Sequence, residues 1–146
     1  MKSWFVLGSV AGVLLGAGPA LAETWHPMAR SQNNAFVAEV DTVIVDGEIT
    51  SIQIATVSLK GEAGDYSHTV ETFQFRCAAG GWRTAGIVEH GADGAEAGRY
   101  PEEGSPWEQT RPGTQPTFIK AIACDGARAN PPHWPTIKAF IDAGRS

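Results

Sequence analysis

From Asn34 to Leu59 apolar and polar residues alternate at nearly the two-residue period of half-buried strands, in AFVAEVDTVIV and EITSIQIATVSL. Asp46-Gly47 divides the two runs. An Asp-Gly step between β-branched runs predicts a hairpin with a type I′ turn, which needs positive φ at both central residues. The alternation slips once: Ile52 and Ile54 share one face, Val57 and Leu59 the other. A bulge near Ala55-Thr56 would restore the phase. Residues 60–66 (KGEAGDY) read as a turn. A third strand follows in SHTVETFQFRC, with Phe73, Phe75 and Cys77 on one face and Thr72, Gln74 and Arg76 on the other. After Ala78-Ala79-Gly80-Gly81 the segment WRTAGIVEH reads as a fourth strand.

The period then changes. Gly91 to Pro112 is rich in Gly, Pro and Glu and reads as a connection long enough to be mobile or functional. GTQPTFIKAIACDG predicts a short helix: Thr114 as N-cap, Pro116 in the first turn where its missing N–H costs little, and Gly126 as the stop. Phe118, Ile119 and Ile122 form its apolar face. TIKAFIDAG predicts a last short helix with Ile137, Phe140 and Ile141 inward. The expected fold is α+β: an antiparallel sheet of four or more strands with one or two short helices packed on it.

The first 22 residues belong to another class of signal. Lys2, an apolar run from Trp4 to Leu15, helix breakers at Gly16, Gly18 and Pro19, and Ala20-Leu21-Ala22 follow the order of a signal peptide, with cleavage after Ala22. Glu23, not cysteine, would follow the cut, so a lipoprotein is not expected. The expected domains are residues 1–22 as signal peptide, 23–33 as an entry segment pinned by Trp25, 34–126 as the β domain and 127–146 as a C-terminal tail with a short helix. The remaining 124 residues hold 10 basic and 16 acidic side chains, a formal charge of −6, because Lys2 is the one charge removed. With no Lys/Arg run, that balance disfavours nucleic acid and anionic lipid as partners. No second apolar stretch approaches a membrane span.

Export changes the reading of the two cysteines. In an oxidising compartment Cys77, at a strand end on the apolar face, and Cys124, on a helix that must cover such a face, are expected to pair. Closing the loop between them would stabilise the fold by about 4 kcal/mol on the chain-entropy argument. No Cys-x-x-Cys, His-Glu-x-x-His, Gly-x-Ser-x-Gly or phosphate-binding loop is present, and the histidines His26, His68, His90 and His133 stand apart in sequence. No catalytic residue, metal-ligand set or cofactor is expected. Asp93 and Glu96 read as turn chemistry, and Glu102-Glu103 as solvated charges. Trp25 and Trp82 read as core; Trp107 and Trp134, each framed by prolines, are candidates for anchoring a partner.

Taken in order, Trp25, Asp41, Gly47, Cys77, Arg83, Gly94, Trp107, Pro112, Gly113 and Cys124 make residues 25–124 resemble the surface-adhesin protein E-like family of bacterial exported proteins. The resemblance implies a small antiparallel β fold with a short helix and one disulfide, and a function in adhesion to host epithelium or binding of host matrix and serum proteins. The expectation is therefore an exported, periplasmic or secreted, non-enzymatic binding protein. It would be a monomer with a protein ligand, and no integral membrane protein once the signal is removed. The alternative is an exported hydrolase using His90 with Glu89 or Asp93.

Overall fold

The computed structural model describes residues 22–146. The expected signal peptide thus lies outside the described residues except for Ala22. The described chain forms eight strands, β1 (Trp25–Arg30), β2 (Asn34–Glu39), β3 (Ile44–Asp46), β4 (Ile49–Ser58), β5 (His68–Arg76), β6 (Gly81–His90), β7 (Glu96–Pro101) and β8 (Glu108–Gln109), and two helices, α1 (Gln115–Asp125) and α2 (Ile137–Asp142). All strands join one antiparallel sheet in the order β1-β2-β4-β5-β6-β7. β3 continues the β2 side of β4, and β8 continues the β7 side of β6. This is the expected α+β domain, with more strands than the hydrophobic pattern marks. Among the described residues no helix is long and apolar enough to cross a membrane.

The phase slip in β4 has a different origin from a bulge. Its pairing with β2 and β5 is unbroken through Ala55 and Thr56. Ile52 and Ile54 pack with Ala38, Phe73, Phe75, Ile119 and Ile122, under α1. Ala55 and Val57 pack with Ala35, Val37, Ile137, Phe140 and Ile141, under α2. Because successive strand residues point to opposite faces, the two helices cover opposite faces of the sheet. The strand is apolar on one face along its first half and on the other along its second.

The hairpin turn also shifts by one residue. Asp46 pairs with Ile49, so Gly47 and Glu48 are the central residues. Gly47 takes φ +58° and Glu48 takes no positive φ, which fits type II′ rather than I′. The run from Ala35 to Val45 is two strands, broken where the buried Glu39 carboxylate accepts from the amides of Thr24, Asp41 and Thr42 and from the Thr42 hydroxyl. The expected entry segment is the edge strand β1. Pro27 is tolerated there because the edge needs fewer donors and a register irregularity falls between Pro27 and Ala29. The expected long connection from Gly91 to Pro112 contains β7 and β8.

Both helices start and stop as their sequences predict. Thr114 is the N-cap position of α1, Pro116 is in the first turn, and Gly126 closes the helix in the left-handed region. The Thr114 hydroxyl donates to the Arg111 carbonyl instead of capping. Ile119 and Ile122 are buried, but Phe118 is 56 % exposed and not part of the core. In α2, Thr136 caps through the Ala139 amide, and Ile137, Phe140 and Ile141 are buried. The Cys77–Cys124 disulfide ties the end of β5 to α1.

Candidate functional site

The α1 face is not wholly covered by its helix. Beside α1 runs a groove of about 490 Å3. Its floor is Glu71 and Phe73 of β5 with Trp82 and Thr84 of β6; its wall is Glu108 and Gln109 of β8, Arg111, and the start of α1 at Thr114–Pro116. The register explains the floor: Phe75 opposes Trp82, Phe73 opposes Thr84, and an irregularity between Thr72 and Phe73 shifts the remainder of β6 by one residue. The Phe73 and Trp82 rings stack with centroids 6.0 Å apart at 21°. Two residues before Phe73 on β5 comes Glu71, opposite Ile54 on β4 and Ile87 on β6.

Glu71 is the unusual group. Its side chain is half-buried, and burial, reinforced by the nearby Glu102 carboxylate, raises its pKa above the ordinary glutamate value. It makes no ion pair among the described residues; the two ion pairs there are Glu96–Arg99 and Lys138–Asp142. Glu102 is exposed, and hydrogen bonds from Ser105 and Thr84 hold its carboxyl below the usual range. The strand sequence TVETFQF carried a signal that the apolar reading passed over. Glu71 occupies the same phase as Phe73 and Phe75, so an acid stands where the strand's packed face requires an apolar residue.

A second cleft, of about 300 Å3, opens on the α2 face and includes His68, His90, Val70, Val88, Glu23, Glu96, Arg99 and Lys138. Its charged side chains already have partners. Glu23 accepts from the Trp25 indole, Glu96 pairs with Arg99 at 2.8 Å, and Asp142 accepts from Lys138 and Tyr66. The Nδ1 atoms of His68 and His90 meet the carbonyls of Tyr66 and Gly94. The α1-face groove differs in that its half-buried carboxylate has no such partner among the described residues.

The fold pairs all four histidines, which the sequence leaves scattered. His68 and His90 are cross-strand neighbours with ring centroids 4.2 Å apart, and His26 stacks on His133 at 3.5 Å. Burial first, then the neighbouring His90, lowers the pKa of His68, against the Tyr66 carbonyl. Burial, His133 and Arg128 lower that of His26, against Asp41 and Glu39. His26 is 5 % exposed and its Nδ1 has no hydrogen-bond partner. Among the described residues no group of three or more His, Cys, Asp or Glu side chains has the arrangement of a metal site.

Each residue marked in the sequence has a place. His90 and Glu89 are successive residues of β6, where the pairing with β7 shifts register, and Asp93 accepts from the Ala95 amide in the turn. Trp25 is buried, whereas Trp82 is half-buried and lines the groove. Trp107 is half-buried under the guanidiniums of Arg76 and Arg83, 4.2 and 4.4 Å from its ring centre. Trp134 packs edge-on against Phe140 and exchanges two backbone hydrogen bonds with Trp25. Neither indole lines the groove. Compared with family models, curated proteins and solved structures, the chain matches none.

Proposed function

We propose that this chain is an exported, non-enzymatic binding protein of the adhesin-like kind, periplasmic or secreted, and that it holds its ligand in the α1-face groove. The observation that carries the reading is the groove itself: an aromatic pair, amide and hydroxyl side chains, and one half-buried carboxylate without a cation. Its volume lies in the range of ligand sites, and convergent polar groups on an apolar floor are their usual form. Support for export comes from the order of residues 1–22 and from a disulfide suited to an oxidising compartment. Site-specific photo-crosslinking tests the reading. A photoreactive side chain at Thr84 should capture partners from envelope or host-surface preparations well above one placed at Lys138 beside α2. Equal capture at the two positions would contradict it.

One observation favours a second reading, a hydrolase. Burial and the Glu102 carboxylate raise the pKa of Glu71, while hydrogen bonds from Ser105 and Thr84 lower that of Glu102, so two neighbouring carboxyls are set apart as in acid and base pairs. An activity screen in which Glu71→Gln and Glu102→Gln both abolish a turnover seen in the unmodified protein would establish that reading in place of the first.

A further inference from the structure

We infer that the groove takes a lysine or arginine side chain of an extended polypeptide ligand, with Glu71 as the counter-ion and the Phe73–Trp82 pair as the aromatic wall. The inference rests on the binding reading above and deepens it.

Charge complementarity is the first reason. Glu71 and Glu108 line the groove, and Glu102 lies close enough to act on Glu71. Arg111 is the one base in the lining, yet it makes no ion pair with Glu71. The groove therefore carries an uncompensated negative charge on its floor. A half-buried carboxylate without a cation is costly to the fold, and a ligand that brings the cation recovers that cost.

The aromatic wall is the second reason. An ammonium or guanidinium is attracted to the ring faces of Trp and Phe as well as to a carboxylate, and its aliphatic stem packs on the same rings. An anionic or purely apolar ligand would leave Glu71 desolvated and unpaired.

The shape of the site favours an extended chain over a free amine. Among the described residues β8 pairs with β6 alone, and its two exposed residues, Glu108 and Gln109, line the groove. The hydroxyl and amide side chains of Thr84, Gln109, Thr114 and Gln115 around the floor can bond the main chain of a peptide whose lysine or arginine reaches Glu71.

The test is a titration of the isotope-labelled full chain followed by NMR. The probes are five-residue threonine-glycine peptides with a central lysine, arginine, acetyl-lysine or norleucine, with spermidine as the free polyamine. The lysine and arginine peptides should shift the signals of Glu71, Phe73, Gln109 and the Trp82 indole, and bind more weakly as salt rises. The acetyl-lysine and norleucine peptides should bind at least about tenfold more weakly, and Glu71→Gln should cost the lysine peptide a similar factor. Glu71→Asp, which keeps the charge, should retain the preference. Equal binding of the charged and acetylated peptides, or no loss in Glu71→Gln, overturns the inference while a ligand in the groove still upholds the binding reading. Spermidine binding as tightly as the peptides overturns the choice of a polypeptide. Silence of the groove toward every cationic probe overturns the inference too, and the crosslinking comparison then judges the binding reading separately.

Discussion

At the scale of single residues, the chain keeps several polar groups in places that cost stability. His26 is buried on β1 with an unpartnered Nδ1, stacked against His133. His26→Phe keeps a flat ring in the stack and removes the orphaned nitrogen. It should raise unfolding free energy at pH 7 by about 1 kcal/mol, measured by denaturant titration. Trp107 is the reverse case. Its ring is held by Arg76 and Arg83, and Trp107→Leu should lose about 1–2 kcal/mol from two cation–π contacts, read in the same way. The sequence marks Trp107 by its proline-framed setting but cannot show which cations reach it, because Arg76 and Arg83 lie more than twenty residues earlier. Glu71 was legible in principle from its phase in the strand; its lack of a cation was not, since that depends on where Arg111 and Glu102 fold.

At the scale of elements, local signals were read where they are local. The ends of both helices, the inward face of α2 and the third and fourth strands follow from short-range pattern, and the Cys77–Cys124 pairing was expected too, whereas Phe118 of the expected α1 face is exposed and the Thr114 hydroxyl does not cap. The failures are tertiary. A strand whose apolar face changes halfway along looks identical in sequence to a bulged strand, and only the placement of α1 and α2 on opposite faces separates them. β7 and β8 were hidden because edge strands with one solvated face need little apolar residue content. The disulfide fixes α1 to β5, so replacing Cys77 and Cys124 by serine should cost about 4 kcal/mol on the chain-entropy argument. Hydrogen exchange should show lost protection concentrated in α1, with the α2 amides changed less. Uniform loss across both helices would contradict the division into two separately covered faces.

At the scale of the whole molecule, the sheet divides the core into two layers, and the two histidine stacks make its stability respond to acid. His26 and His68 both have folded pKa values below their ordinary 6.5. The unfolded chain therefore takes up those protons first, and the stability tied to neutral imidazoles is full above about pH 6.5 and lost as pH falls below it. Thermal unfolding followed from pH 8 to pH 5 should show a falling midpoint below that value, and a shallower fall in His26→Phe. Glu71 has the opposite sign. Its raised pKa means that the folded state holds its proton more tightly than the unfolded chain, so its contribution is full below the ordinary value of 4.5 and is lost as pH rises. At neutral pH the charge of Glu71 therefore weakens the fold.

The central claim, that the α1-face groove is a ligand site organised around Glu71, is tested most directly by one paired measurement on Glu71→Gln at pH 7: its melting temperature and its affinity for the central-lysine peptide, beside the unmodified protein. The variant is expected to melt higher and to bind at least about tenfold more weakly. A variant that melts lower and binds the peptide as before would show that Glu71 serves the fold and not the ligand.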